Sequence, residues 1–435
     1  MNTKELFNEI MSFNKNVRSL KWEYAYWGST IKNWYNQGLP KKNYPIIPDS
    51  ITTITTSLYL RAWKYSIYGT RENEEVSKKI IELPDGIAVW GNIYRPTQGL
   101  PLDEDVGSFF DFDKSVCLLD VEQLFFPHFK IELIEEDDSK ITYIDIDGVK
   151  RIFVKKESTI PTAVDWPIKG WDSWNNIKEE KLQIDNIKSR FPNNWEKLIR
   201  IYKNREYPIA IGGYPVGIFG TLAHLLGYKR LFLLYHDDSG LLRDMLNTIT
   251  GIWIAIWEVI TSEVDIDCLH LWEDVSMGTG SMISPAIFKE FMTPYYKKIT
   301  SFLKSKRVKN ILLDTDGNCS KLIPLFLDAG ITGLWPMEVG TGMDLVEIRK
   351  KYPDLQIMGG IPKLDISKGK NRIDDFLEPI KWLLKQGGYI PFCDHSVPSE
   401  VHWNDFKYYR EKLNSIIENR KGVFNVCNYC AGVKK

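Results

Sequence analysis

From about residue 190 onward, apolar residues fall into two alternating patterns. The short runs in "YPIAIGG", "IDCLHLWED", "KNILLDTDG", "ITGLWPME", "LQIMGGIPK" and "YIPFCDH" are apolar almost throughout, as strands buried on both faces are. Between them lie longer stretches with apolar residues three or four apart, such as "KLIPLFLDAG", "DLVEIRKKYP", "IDDFLEPIKWLLKQGG" and "NDFKYYREKLNSIIENR", which predict helices. "SPAIFKEFMTPYYKKITSFLKSK" opens on a capping serine and a first-turn proline. "LLRDMLNTITGIWIAIWEVITSEV" is apolar on most sides and predicts a largely buried helix. This alternation predicts an α/β protein with a parallel sheet. A doubly wound sheet and a barrel both fit. Polar residues recur at the carboxyl ends of successive strands, from His270 to His395, and a (β/α)8 TIM barrel gathers those ends on one rim. That recurrence favours the barrel over a doubly wound sheet, which would concentrate them at one crevice.

Before residue 165 the pattern is less regular. "SITTITTSLYLRAW" has no clear period, while "GIAVWGNIYR" and "SVCLLDVEQLFF" read as strands. "KITYIDIDGVKRIFVKK" alternates, turns at Asp-Gly and alternates again, which predicts a β-hairpin. The expected organisation is an N-terminal extension over 1–165 that carries this hairpin insertion and belongs to the barrel domain. A barrel core over 166–420 and a tail over 421–435 follow.

The 435 residues are 43% hydrophobic and 26% charged, ordinary for a globular protein. A net charge of −1 argues against a nucleic-acid partner. The start of the chain does not read as a secretory signal, and apolar runs such as "IWIAIW" are too short to cross a bilayer, so no membrane partner is expected. Six scattered cysteines are no disulfide framework and suggest a reducing, cytoplasmic setting. Cys427 and Cys430 offer two ligands where structural zinc takes four, so they read as part of a free tail. "GGYPVGIFG" lacks the order of a phosphate-binding loop.

The chemistry-bearing residues are those at the strand ends: Glu273 and Asp274, Asp314 and Asp316, Glu338, Lys363, and Cys393, Asp394 and His395. Side chains two apart in a strand point the same way, so Asp314 shares a face with Asp316, and Cys393 with His395. Converging carboxylates, thiol and imidazole suit zinc or a related divalent ion, and equally suit acid–base work. Each also has a structural reading. Asp316 can cap a turn, Cys393 can fill core, Asp394 can orient His395 and Glu338 can pair with Lys363. His128, His224, His236 and His402 read as surface or core.

The blocks "LLDTDGNCSKLIPLFLDAGITGLWPMEV", "DLVEIRKKYPDLQIMGGIPK" and "GGYIPFCDHSVPSEV", in that order and spacing, resemble the uroporphyrinogen decarboxylase superfamily. "KWEYAYWGSTIKNWYNQGLP" and "SMISPAIFKEFMTPYYKKI" resemble its anaerobic, corrinoid-dependent methyltransferase-like branch. The resemblance implies a TIM barrel with its site at the rim, and one of two chemistries: decarboxylation of uroporphyrinogen, or methyl transfer involving a corrinoid protein. The decarboxylases carry an "RQAGR"-type stretch near the N-terminus, where cations anchor a substrate with eight carboxylates. This chain has Trp22, Glu23, Trp27 and Trp34 in that region. The thiol-directed methyltransferases carry His-x-Cys-Gly where this chain has Asp314-Thr315-Asp316-Gly317, a harder ligand set suited to an oxygen leaving group.

The resemblance therefore implies an enzyme that demethylates a small methoxylated substrate and methylates a cob(I)amide on a separate corrinoid protein, since no "DxHxxG" stretch is present. The expected metal ligands, for zinc, are Asp314, Asp316, Cys393 and His395. Glu273, Asp274, Lys363 and His395 are the expected catalytic groups. Trp22, Glu23, Trp27 and Glu338 are the expected substrate contacts. A homodimer is compatible with the chain. The alternatives are a decarboxylase, or a barrel that binds a corrinoid or tetrapyrrole without turning it over.

Overall fold

Seven short parallel strands carry the fold, and their neighbours in space follow their order in the chain. The computed structural model describes residues 1–40, 88–89, 104–119, 121–154, 161–193 and 195–419. The strands are β1 (Cys117–Leu118), β2 (Ile209–Gly212), β3 (Cys268–Trp272), β4 (Asn310–Asp314), β5 (Gly333–Trp335), β6 (Gln356–Met358) and β7 (Tyr389–Ile390). Each pairs in parallel with the next. Helices follow β2 through β7, so the α/β barrel reading holds. The eighth stave is an extended segment near the N-terminus. Ala25 O accepts from Val397 N, and Lys21 O accepts from Asp113 N, which bridges the gap between β7 and β1.

Because β1 lies at 117–118, the sheet is not confined to 166–420, and the expected boundary at 165 divides one sheet. Parallel pairing joins strands distant in sequence, so the irregular first third could still supply one. The predicted hairpin is present as Lys140–Ile144 paired with Lys150–Val154, within a four-stranded antiparallel sheet. "SITTITTSLYLRAW", most of "GIAVWGNIYR", and Cys427 with Cys430 lie outside the described residues.

Strand alternation builds two cores. Leu269, Leu271, Ile311, Leu313, Leu334 and Ile357 point outward and pack under the helices. Cys268, Leu312, Trp335, Met358, Ile390 and Phe392 point inward and fill the barrel with Trp22 and Tyr24. Helix Thr3–Met11, capped by reciprocal bonds between Asn2 and Glu5, adds Leu6, Phe7, Ile10 and Met11 to the inner core. Asn8 Nδ2 donates to Asp267 Oδ1 just ahead of β3, and Gln356 Nε2 donates to Met11 O at the start of β6. The helix therefore closes the amino-terminal end of the barrel and leaves the carboxyl end as the open one.

Helix Ser239–Glu263, at 25 residues and mean hydropathy 1.2, is long and apolar enough to cross a membrane, contrary to what the short apolar runs suggested. Half of that apolar window is buried within the protein, and Trp257 Nε1 donates to Gln123 Oε1 at 2.9 Å. The described cysteines, Cys117, Cys268, Cys319 and Cys393, are buried.

Candidate active site at the barrel mouth

At the open end lies a cavity of about 530 Å³, within the usual range for small-molecule sites. Its walls are aromatic, with Tyr24, Trp27, Trp166, Tyr214, Tyr228 and Trp272. Its acidic side is Asp274, Asp314 and Asp316, with His270 and His395 beside them.

The chain reaches these positions by local geometry. Asp314 ends β4, and the backbone turns at Gly317, with φ +74°. A Cβ at Gly317 would stand 2.5 Å from the Met277 carbonyl carbon, so only glycine fits the turn that carries Asp316. Asp274 is a non-glycine residue at φ +43°, an uncommon conformation held by its surroundings. Glu273 N donates to Asp314 O at 2.8 Å, which ties the ends of β3 and β4 together.

One carboxylate oxygen from each of Asp274, Asp314 and Asp316 lies within 4.8 Å of the others. His395 Nε2 is 3.4 Å from Asp316 Oδ2, and His270 Nε2 is 3.2 Å from Asp314 Oδ2. Burial pushes Asp274 and Asp314 well above the usual carboxylate range, and the Asp316 charge adds to it. Burial acts on Asp316 in the same direction. There the positive His395 and its hydrogen bond prevail, with Lys363, and the net shift is downward. His395 is the mirror case: burial lowers it, Asp316 raises it more, and it ends above its ordinary value. His270 has only burial acting on it and falls to about 3, so it is neutral.

The donor set fits a divalent cation. The carboxylates of buried Asp314 and half-buried Asp274 and Asp316 crowd one another, and Asp316 Oδ1 is buried with no hydrogen-bond partner. An ion held by Asp274, Asp314 and Asp316 would satisfy both, and an all-oxygen set with imidazole nearby is a hard site.

Several expected site residues lie elsewhere. Cys393 is buried, with its Sγ 3.9 Å from the Tyr409 hydroxyl, and it does not join the acids. β7 ends at Ile390 and the chain bends before His395, so the two-residue period does not carry from Cys393 to His395. Glu273 faces away from the cavity and accepts the N–H groups of Ile218, Phe219 and Gly220, at 2.6, 2.7 and 3.0 Å. It caps helix Ile218–Leu226, and burial raises it to about 7. Trp22 stacks on Phe7 deep in the barrel, with ring centroids 5.8 Å apart. Glu23 is wholly buried and paired with Arg410. Glu338 and Lys363 pair at 3.0 Å beside the cavity; Glu338 also accepts from Gly317 N, and Lys363 N donates to Asp394 Oδ1. Asp274, Asp314, Asp316, His395 and Trp27 line the cavity.

The lining residues outside the expected set include His270, Tyr214 and Arg151, and also His224, which the sequence placed at the surface or in the core. His270 was within reach of it, since alternation places it on the inward face with Cys268. Arg151 and His224 come from the hairpin and from a helix, and no local pattern links them.

The uroporphyrinogen decarboxylase (URO-D) family profile matches residues 155–412. Among solved structures, a methyltransferase from Methanosarcina mazei is similar at 14% identity, over 89% of this chain and 99% of that one, with a TM-score of 0.45. No curated protein sequence gives a match.

Proposed function

The chain belongs to the uroporphyrinogen decarboxylase family, and from that premise we propose that it is a methyltransferase acting on a small methoxylated aromatic substrate. The acceptor is the cob(I)amide of a separate corrinoid protein. The observation that carries this reading is the charge of the cavity: three carboxylates under aromatic walls. A substrate with eight carboxylates needs cations there. Among the described lining residues the arginines and lysines are Arg151, already paired with Asp145, and Lys229.

In the reaction, cobalt(I) supplies the electron pair for the new bond to the methyl carbon. The pair of the breaking C–O bond stays on oxygen, which is a poor leaving group without a proton or a positive charge beside it. Asp274, whose hold on a proton burial strengthens, faces the cavity and delivers that proton. His395, held by Asp316 and packed 5.0 Å from the Tyr24 ring, adds positive charge. Trp27, Trp166 and Trp272 seat the ring and exclude water. Zinc or a related divalent ion held by the ionised Asp274, Asp314 and Asp316 would instead supply Lewis-acid stabilisation of the same oxygen in place of that proton. Lys363 and Glu338 set the charge around His395 from outside the cavity. Cobalt(I) is destroyed by oxygen, so this reading belongs to anaerobic metabolism in the cytoplasm.

The test is to mix the purified protein with cob(I)alamin and a panel of methoxyarenes under anaerobic conditions. Loss of the cobalt(I) absorbance that requires both protein and methoxyarene is expected. A panel with no such loss would count decisively against the reading.

A further inference from the structure

The cavity has a second polar wall, and the inserted hairpin builds it. Arg151, on strand Lys150–Val154, lines the cavity and is 4% exposed. Its Nε donates to Asp145 Oδ2 at 2.6 Å. The other oxygen of Asp145 accepts the N–H groups of Asp147 and Val149 at 2.9 and 3.0 Å, so the hairpin turn itself fixes the counterion. The remaining contacts of the guanidinium are long: Nη1 to Pro161 O at 3.3 Å and Nη2 to His224 Nδ1 at 3.4 Å. A guanidinium has five N–H bonds in a planar fork, and these contacts use three.

His224 is positioned from the same turn. Its Nε2 lies 3.1 Å from Asp147 Oδ2, and its Nδ1 lies 2.7 Å from the Tyr214 hydroxyl. With the proton on Nε2, Nδ1 accepts from Tyr214, and the imidazole stands as a fixed wall beside Arg151. The family profile begins at residue 155, so the strand bearing Arg151 lies outside the matched span. The acids come from the barrel strand ends, and the cation comes from the hairpin.

We infer that Arg151 forms a subsite for a carboxylate on the substrate, across the cavity from the acids, with Asp145 and His224 positioning it. This inference rests on the methyl-transfer reading and narrows the donor to a methoxylated aromatic carboxylate. The two polar walls would orient the ligand by its ends: carboxylate to the hairpin and ether oxygen to Asp274. A buried ion pair adds little to stability compared with apolar packing, so a pair placed on a cavity wall is better used in recognition than as hairpin glue.

The test is direct binding to the full-length protein, with no corrinoid present, by calorimetry. The probes are 4-methoxybenzoate and its neutral isostere 4-methoxybenzamide. The benzoate is expected to bind about tenfold tighter or more, as a charge-assisted fork contact allows. Arg151→Gln should abolish that preference and bring the two affinities together. If the single variant fails to fold with Asp145 stranded, the Asp145→Asn/Arg151→Gln double variant carries the same expectation. Equal affinity in the wild type, no binding of either probe, or a preference that survives the loss of Arg151 would overturn the inference. Methyl transfer is read separately: turnover of neutral ethers with no carboxylate preference sinks the subsite and leaves the proposed reaction standing.

Discussion

Asp316 Oδ2 lies 3.4 Å from His395 Nε2, an ion pair that joins the loop after β4 to the loop after β7. Each partner shifts the other: His395 is raised and Asp316 lowered, although burial works against both. The raised histidine contributes stability that is complete below its unfolded value of about 6.5 and is lost as pH rises through its folded value. The lowered aspartate contributes stability present above its unfolded value of about 3.9 and lost as pH falls through its folded value. In metal-free protein, Asp316→Asn should leave burial as the main influence on His395 and move its titration from above about 6.5 to below it. Ring-proton NMR of His395 reads this directly. An unmoved midpoint would mean that Asp316 does not set the charge of the mouth.

Metal binding should release protons. Burial and the Asp316 charge push Asp274 and Asp314 well above the usual carboxylate range, and a cation needs them ionised. Titration of zinc or manganese into metal-free protein should therefore release a measurable number of protons per ion bound. Calorimetry in buffers of differing ionisation enthalpy measures that number. Release near zero would remove these acids from the ligand set.

Glu273 should matter for stability and not for the reaction. Its carboxylate satisfies three N–H groups at the start of helix Ile218–Leu226 and points away from the cavity. Glu273→Ala leaves those buried donors without partners and should cost about 2–4 kcal/mol in urea denaturation. Ligand affinity of the folded variant should stay within about threefold of the wild type, well under 1.4 kcal/mol. A large affinity loss at unchanged stability would restore Glu273 to the site.

The contrast between Glu273 and Asp314 shows what the sequence could carry. The alternation that turns Cys268, His270 and Trp272 inward turns Glu273 outward, so its exclusion was legible from the strand itself. Asp314 follows Leu312 on the inward face of β4, and the same rule places it at the cavity. Cys393 and His395 defeated the rule because the strand stops at Ile390 and the period ends with it. The hairpin was readable from its Asp-Gly turn. That it folds over the barrel and puts Arg151 in the cavity wall depends on contacts between distant segments, which no local pattern records.

Glu23 and Arg410 should behave as a structural pair. Their 3.3 Å contact is fully buried, and Glu23 also accepts from Cys393 N at 2.6 Å and from the Tyr409 hydroxyl at 3.2 Å. This ties the N-terminal stave to the chain just after the last strand and to the last helix. Glu23→Ala strands a buried guanidinium and should destabilise by about 3–5 kcal/mol. Denaturation curves should show the full effect, and the wild-type affinity should persist in the fraction that remains folded.

Gly317→Ala should damage the mouth through the backbone. The residue sits at φ +74°, where a Cβ costs about 1–2 kcal/mol before any contact is counted. The added carbon would also meet the Met277 backbone, with the carbonyl carbon at 2.5 Å and the oxygen at 2.6 Å. Backbone cannot swing aside as a long side chain can, so the turn itself must move, and it carries Asp316. The variant should therefore melt at a lower temperature and also lose most of the further stabilisation expected when a divalent cation is added to the wild type. The second loss is the informative one. A variant that melts lower and keeps the full cation-induced rise would show that Asp316 is not needed to hold the ion. Loss of both would place the glycine, the turn and the ligand in one unit.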